Sequence, residues 1–218
     1  MNPFLNEYDT PFEIPPFEKI EFKHYEPAFE IGMAEHLKEI NDIAQNIEVA
    51  TFENTIEALE RSGKTLDKVA NVFYNLLGSN TNDDLDSLAM KISPKLSAHN
   101  DSILLNEELF KRIEYLQSNK KEIELTTEQS RLLDETYKRF VRSGANLDQQ
   151  SMKRLTEINS SLSSLSVQFD QNVLKETNSY SMIVDNQNDL EGLPQEEIRQ
   201  AALLAESEGH EGKWVFKP

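Results

Sequence analysis

The chain has 218 residues, 22 Lys+Arg against 39 Asp+Glu for a net charge of −17, and no cysteine. These counts exclude a disulfide framework, a thiolate metal site and a cysteine nucleophile. They also oppose a phosphate backbone, whose affinity comes from clustered Lys and Arg, so no nucleic-acid partner is expected.

No stretch approaches the ~18–20 consecutive apolar residues of a membrane span, so no membrane partner is expected either. The acidic start, Met1 to Asp9, lacks the basic and apolar regions of a signal peptide, which points to the cytoplasm. A signal removed beforehand would instead leave a periplasmic protein. The acidity is uneven: residues 1–60 hold 3 Lys against 14 Asp+Glu, a net −11. The first helices should therefore carry a strongly solvated acidic layer.

Residues 1–23 contain Pro3, Pro11, Pro15 and Pro16, with Phe4, Phe12, Ile14, Phe17, Ile20 and Phe22 between them. Proline fixes φ and blocks helix, so this is an extended lead-in, lying on a surface through its apolar groups. Residues 24–177 read as a helical domain. Phe29, Met33, Leu37, Ile40, Ile43 and Ile47 recur at steps of three and four after Pro27, which is one helical face. Thr51 caps a second helix with the seam Phe52, Ile56, Leu59, Leu66, Val69, Phe73 and Leu77. Gly63 marks a break or a close crossing in it.

Asn80 to Asp86 is a capped entry to a third helix, bearing Leu85, Leu88, Ile92, Leu96, His99 and Ile103; Pro94 should kink or restart it, with Ser93 as cap. Asn106 caps a short fourth helix. Thr126-Thr-Glu-Gln is a capping-box pattern opening a fifth, which ends at Gly144. Asp148 opens the longest helix, to about Glu176, with the heptad-like seam Leu155, Ile158, Leu162, Leu165 and Phe169 among serines. Residues 178–218 read as a small strand–helix–strand segment, in which the last strand looks like half of a pairing cut off inside a larger protein. The fold class is mainly α: a bundle-like array of about six to seven helices with a small two-strand β element near the C-terminus.

The chemistry-bearing residues form no recognisable site. The histidines are His24, His36, His99 and His210, and none has the HExxH spacing. His36 and Glu39 share a helical face but lack a second imidazole, and structural zinc wants four protein ligands. His99 lies on an apolar stripe and reads as a core histidine. Asn82, Asp84 and Asp86 hint at a calcium loop, but Ser87 and Ser93 stand where the turn glycine and the bidentate glutamate belong. No GxSxG elbow or Gly-rich phosphate loop is present. No catalytic, cofactor-binding or metal-binding residue is therefore assigned.

Several segments together resemble a known family. They are Pro15-Pro-Phe-Glu-Lys-Ile, His24-Tyr-Glu-Pro-Ala-Phe-Glu-Ile-Gly-Met, Thr51-Phe-Glu-Asn-Thr-Ile-Glu-Ala-Leu-Glu-Arg-Ser-Gly, Val141-Arg-Ser-Gly-Ala, Gln168-Phe-Asp-Gln-Asn-Val-Leu-Lys-Glu-Thr, Leu190-Glu-Gly-Leu-Pro and Gly212-Lys-Trp-Val-Phe. In this order they are similar to the N-terminal part of the bacterial peptidyl-dipeptidases (dipeptidyl carboxypeptidases), which are thimet oligopeptidase-like zinc metallopeptidases.

The resemblance implies a non-catalytic portion of an enzyme that releases dipeptides from the C-terminus of short, unfolded peptides. This portion would form part of one wall of the substrate channel. Zinc would be held by the missing C-terminal catalytic portion, which would also be the chain's main partner. Glu30, Glu35 and Glu39 would then disfavour acidic peptides if they face the channel mouth. The alternative expectation is a helical protein-interaction module that pairs through the Leu155–Phe169 seam. A third is a peptide-binding remnant without the metal.

Overall fold

Asparagine and threonine caps start helices where the residue pattern predicts them. In a computed structural model, which describes residues 1–217, the helices are α1 (Tyr25–Ala44), α2 (Ala58–Arg61), α3 (Lys64–Ser79), α4 (Asp83–Leu104), α5 (Glu107–Ser118), α6 (Thr127–Arg142), α7 (Gln149–Ser179) and α8 (Gln195–Ser207). Strands β1 (Met182–Val184) and β2 (Trp214–Phe216) pair antiparallel, with Ile183 opposite Val215. Asn82 Oδ1 accepts from the Leu85 amide at 3.0 Å, and Asn106 Oδ1 from the Leu109 amide at 2.9 Å. Thr126 and Gln129 bond reciprocally at 3.2 and 2.9 Å, the capping box expected for the fifth helix. All but α2 are twelve residues or longer, so the class is mainly α with a two-stranded element near the C-terminus, as the periodicity predicts.

Three elements differ in detail from the expected pattern. The helix expected from Thr51 through Leu77 is in three pieces: a π-helical turn (Phe52–Glu57), then α2, then α3 beyond a break at Ser62 and Gly63. Gly63 has φ +80°, a left-handed conformation that admits glycine at little cost. By contrast, α4 runs unbroken through Pro94. The lead-in is more turned than its prolines suggest, with four short 3-10 turns, because Pro3 and Pro11 sit at first-turn positions where their missing N–H costs nothing. Phe4 anchors it, fully buried against the Tyr25 ring at 5.2 Å.

The chain divides into two compact units, the first Met1–Val167 and the second starting at Gln168. In the first, apolar side chains collect in two clusters. One joins Phe4, the N-terminal half of α1, α3 and the first part of α4 around Phe29, Phe73 and Ile92. The other joins the C-terminal half of α1, the π-helical turn, the end of α4, α5 and α6 around Ile56, Leu109 and Phe140. In the second unit, α8 packs on β2 and buries Ala201, Ala205 and Val215.

Asn54 does two jobs in the first unit. Its amide N–H and side-chain oxygen cap with Thr51 at 3.2 and 2.8 Å, and the same oxygen accepts from Arg112 Nη2 at 2.8 Å. Arg112 also donates to the Asn46 and Glu48 carbonyls. Asn54→Ala should cost about 1–2 kcal/mol, a lost cap plus an arginine left short of a partner. Thermal unfolding should show a midpoint lowered by about 2–6 °C.

Candidate functional site

Two features of the first unit have the chemistry of a site. The first lies midway along α1 and in the last third of α4. His36 follows Met33 and precedes Ile40 on α1, and His99 falls between Leu96 and Ile103 on α4, so the rings meet where the two apolar clusters adjoin. The His99 Nε2 to His36 Nδ1 distance is 3.0 Å, and His36 Nε2 lies 3.1 Å from Ser62 Oγ. Ser62 Oγ in turn donates to the Leu59 carbonyl at 2.6 Å. A cavity of about 380 Å³ opens beside this row, lined also by Asn100, Thr136 and Arg139.

Burial pushes the His36 imidazole below its ordinary value, against the opposing pull of Glu39 and Asp67. Burial, and then the neighbouring His36, pushes His99 down to about 4. Both rings are therefore neutral at pH 7. His99 is a buried histidine, as its stripe predicts, but its partner is another histidine, 63 positions away.

The remaining sequence candidates are dispersed. Glu39 accepts from the Gly63 amide at 2.8 Å and so pins the turn beside His36. Glu30 is held by Lys95 at 2.8 Å, which keeps its carboxyl below the usual range, while Glu35 is exposed. Two of the three acidic residues singled out on α1 are thus engaged within the chain. Asn82 is a helix cap, and Asp86 Oδ1 accepts from Thr81 Oγ1 at 2.6 Å. His24 accepts from the Glu21 amide through Nδ1 at 2.9 Å, and His210 lies after α8. Among the described residues, no group of three His, Cys, Asp or Glu side chains is placed to hold a metal. The two histidine nitrogens that face each other are spent on one another. The resemblance places zinc in the missing C-terminal portion, and no zinc is assigned to these residues.

The second feature is the outer face of α7. Ile158, Leu162 and Leu165, the middle of the expected seam, are exposed, the two leucines at 59% each. The helix faces its own unit with the opposite side, where Asn159 Nδ2 donates to the buried Asp101 Oδ1 at 2.8 Å and Val167 packs against the first cluster. That hydrogen bond fixes the rotation of the helix and leaves the leucines outward. Phe169, on the same helix, is also exposed. No helix among the described residues is long and apolar enough to cross a membrane.

Comparison with known proteins bears on what these features serve. No family model matches the chain. It is 36% identical over 216 residues to a dipeptidyl carboxypeptidase of Escherichia coli, which covers 99% of this chain and 32% of that protein. The chain is similar to a portion of dipeptidyl carboxypeptidase and of oligopeptidase A. An oligopeptidase A of Escherichia coli is 29% identical over 218 residues, covering 97% of this chain and 30% of its own length. A chloroplastic/mitochondrial organellar oligopeptidase A of Arabidopsis thaliana is 23% identical over 222 residues. The chain spans about a third of the length of the curated relatives it matches.

Proposed function

We propose that this chain is the non-catalytic helical portion of a peptidyl-dipeptidase, a hydrolase that releases dipeptides from the C-terminus of short peptides, and that it forms part of one wall of the substrate channel. One observation carries the reading: 99% of the chain matches about a third of a dipeptidyl carboxypeptidase. The outer face of α7 supports it. A row of exposed leucines on a helix that meets its own unit through the Asn159–Asp101 hydrogen bond and Val167 is a surface that apolar cover would stabilise, at roughly 25 cal/mol per Å².

In this reading the catalytic portion of the same protein provides that cover. Zinc and the bond-breaking step would belong there too, while the helices of this chain would limit entry to unfolded peptides.

The purified chain should release no dipeptide from short peptides and should bind no zinc in stoichiometric amount. Hydrolysis that co-elutes with the pure chain and is abolished by a chelator would overturn the proposal. With the catalytic portion added, Leu162→Asp together with Leu165→Asp should weaken assembly by more than about tenfold, since each buries a charge at an apolar contact. Exposed as they are, the two changes should leave the stability of the chain alone within about 0.5 kcal/mol.

A self-standing helical interaction module is the second reading, and the same α7 face favours it. Light scattering separates the two. A stoichiometric homodimer that Leu162→Asp dissolves would support the module, and ill-defined association would support a surface meant for the rest of the enzyme.

A further inference from the structure

We propose that the His36–His99 pair is an acid-sensitive latch: with both rings neutral it holds the turn between α2 and α3 against α4, and a proton taken up by either ring releases it. The directions of the hydrogen bonds follow from the fixed end of the row. The Leu59 carbonyl can only accept, so it takes the Ser62 hydroxyl proton. Ser62 Oγ then offers only lone pairs to His36, and His36 Nε2 must carry the hydrogen that it donates. A neutral His36 therefore has a bare Nδ1, which accepts from His99 Nε2–H. A neutral His99 in turn has a bare Nδ1. That atom is buried, with no hydrogen-bond partner among the described residues.

Each donor in the row thus has one acceptor, and an extra proton has no good place. On His36 Nδ1 it would set two N–H groups against each other. On His99 Nδ1 it would create a buried N–H without an acceptor on a side chain only 7% exposed.

The backbone is built to close on this pair. A Cβ at Gly63 would lie 2.9 Å from His36 Nδ1, so only a glycine at φ +80° brings the turn so near the ring. The Gly63 amide is held by Glu39. The charged groups around the pair come from four helices. Glu39 on α1 and Asp67 on α3 favour a cation at His36, and Glu60 on α2 and Arg139 on α6 line the same cavity. Burial outweighs the carboxylates at His36, and nothing named favours a cation at His99. A charged His36 also disfavours a second proton on His99.

In an opened turn both imidazoles would titrate near their ordinary ~6.5, while closed His99 titrates near 4. The open form then binds more protons between those values. The latch is fully closed above about pH 6.5 and is progressively lost as pH falls toward 4. His99 alone should raise the opening equilibrium about tenfold between pH 7.5 and pH 5.5. The inference rests on the first unit alone and is independent of the peptidase reading.

Ring ¹⁵N spectra of the wild-type 218-residue chain, with hydrogen exchange, test it. At pH 7.5 both rings should be protonated at Nε2 with bare Nδ1 atoms, and both should titrate below 6.5, His99 the lower. Exchange through residues 59–67, corrected for the intrinsic rate, should show opening about tenfold more frequent at pH 5.5, with residues 109–116 of α5 unchanged. His99→Gln keeps an N–H for His36 without titrating, so it should lose most of that increase. Two rings titrating independently near 6.5, an Nδ1–H tautomer at His99, or pH-independent opening of 59–67 would each overturn the latch. The wild-type spectra decide this whether or not the variant folds.

Discussion

Phe73→Ala should lower the unfolding free energy of the first unit by about 3–5 kcal/mol, among the largest effects of any single truncation in the chain. Phe73 is fully buried at the meeting point of the lead-in, α1, α3 and α4. Its ring makes T-shaped contacts with Phe29 at 5.4 Å, Tyr25 at 5.5 Å and Tyr74 at 5.2 Å between centroids. Edge-to-face pairs add about 0.5–1.5 kcal/mol each beyond area burial, so removing the ring loses packing and quadrupole contacts together. The surrounding helices cannot collapse far into the gap, because Phe29 and Tyr25 are themselves fixed on α1. Urea unfolding followed by circular dichroism should show the midpoint falling with its slope unchanged. Phe169→Ala, at a ring 66% exposed, should stay within about 0.5 kcal/mol of wild type. A Phe73→Ala loss below about 1 kcal/mol would mean that the aromatic cluster is not the centre of this core.

Phe73 was legible in the sequence because periodicity of three and four places it on the seam of its helix. The same rule places Ile158, Leu162 and Leu165 on one face of α7, and they do share it. Periodicity states which residues are neighbours on a helix; it does not state what covers them. The rotation of α7 is set by Asn159 and Asp101, 58 positions apart, and by Val167 against the first cluster, so the stripe faces outward. The capping boxes were legible for a related reason, since their partners are three residues apart. The histidine pair was not, because no local spacing encodes a contact between positions 36 and 99. The one local trace is Gly63, a glycine that interrupts the seam. Its Cβ-free approach to His36 is what makes the row possible.

Gly32→Val is the second substitution with a large expected effect, about 2–4 kcal/mol of destabilisation, and it acts by overpacking rather than by loss. Gly32 is buried on α1 where that helix packs along α3. A Cβ there would lie 2.9 Å from both Cα and N of Leu66. Those are backbone atoms, so no rotamer change in a neighbour relieves the clash, and the helices must move apart. Separation exposes Phe29, Val69 and Phe73 together, all of which are fully buried in the native packing. Gly78→Ala, on α3, is the opposite case. Nothing lies within 4 Å of its Cβ, so relief of glycine's entropy cost should stabilise by up to about 1 kcal/mol.

The valine variant should also speak to the latch, because α1 carries His36 and the Ser62 turn opens directly into α3. If the two helices separate, His36 loses Ser62, the row loses its fixed end, and both ring titrations should move up toward 6.5. A Gly32→Val chain that unfolds early yet keeps the native His99 titration would place the loss elsewhere than between α1 and α3.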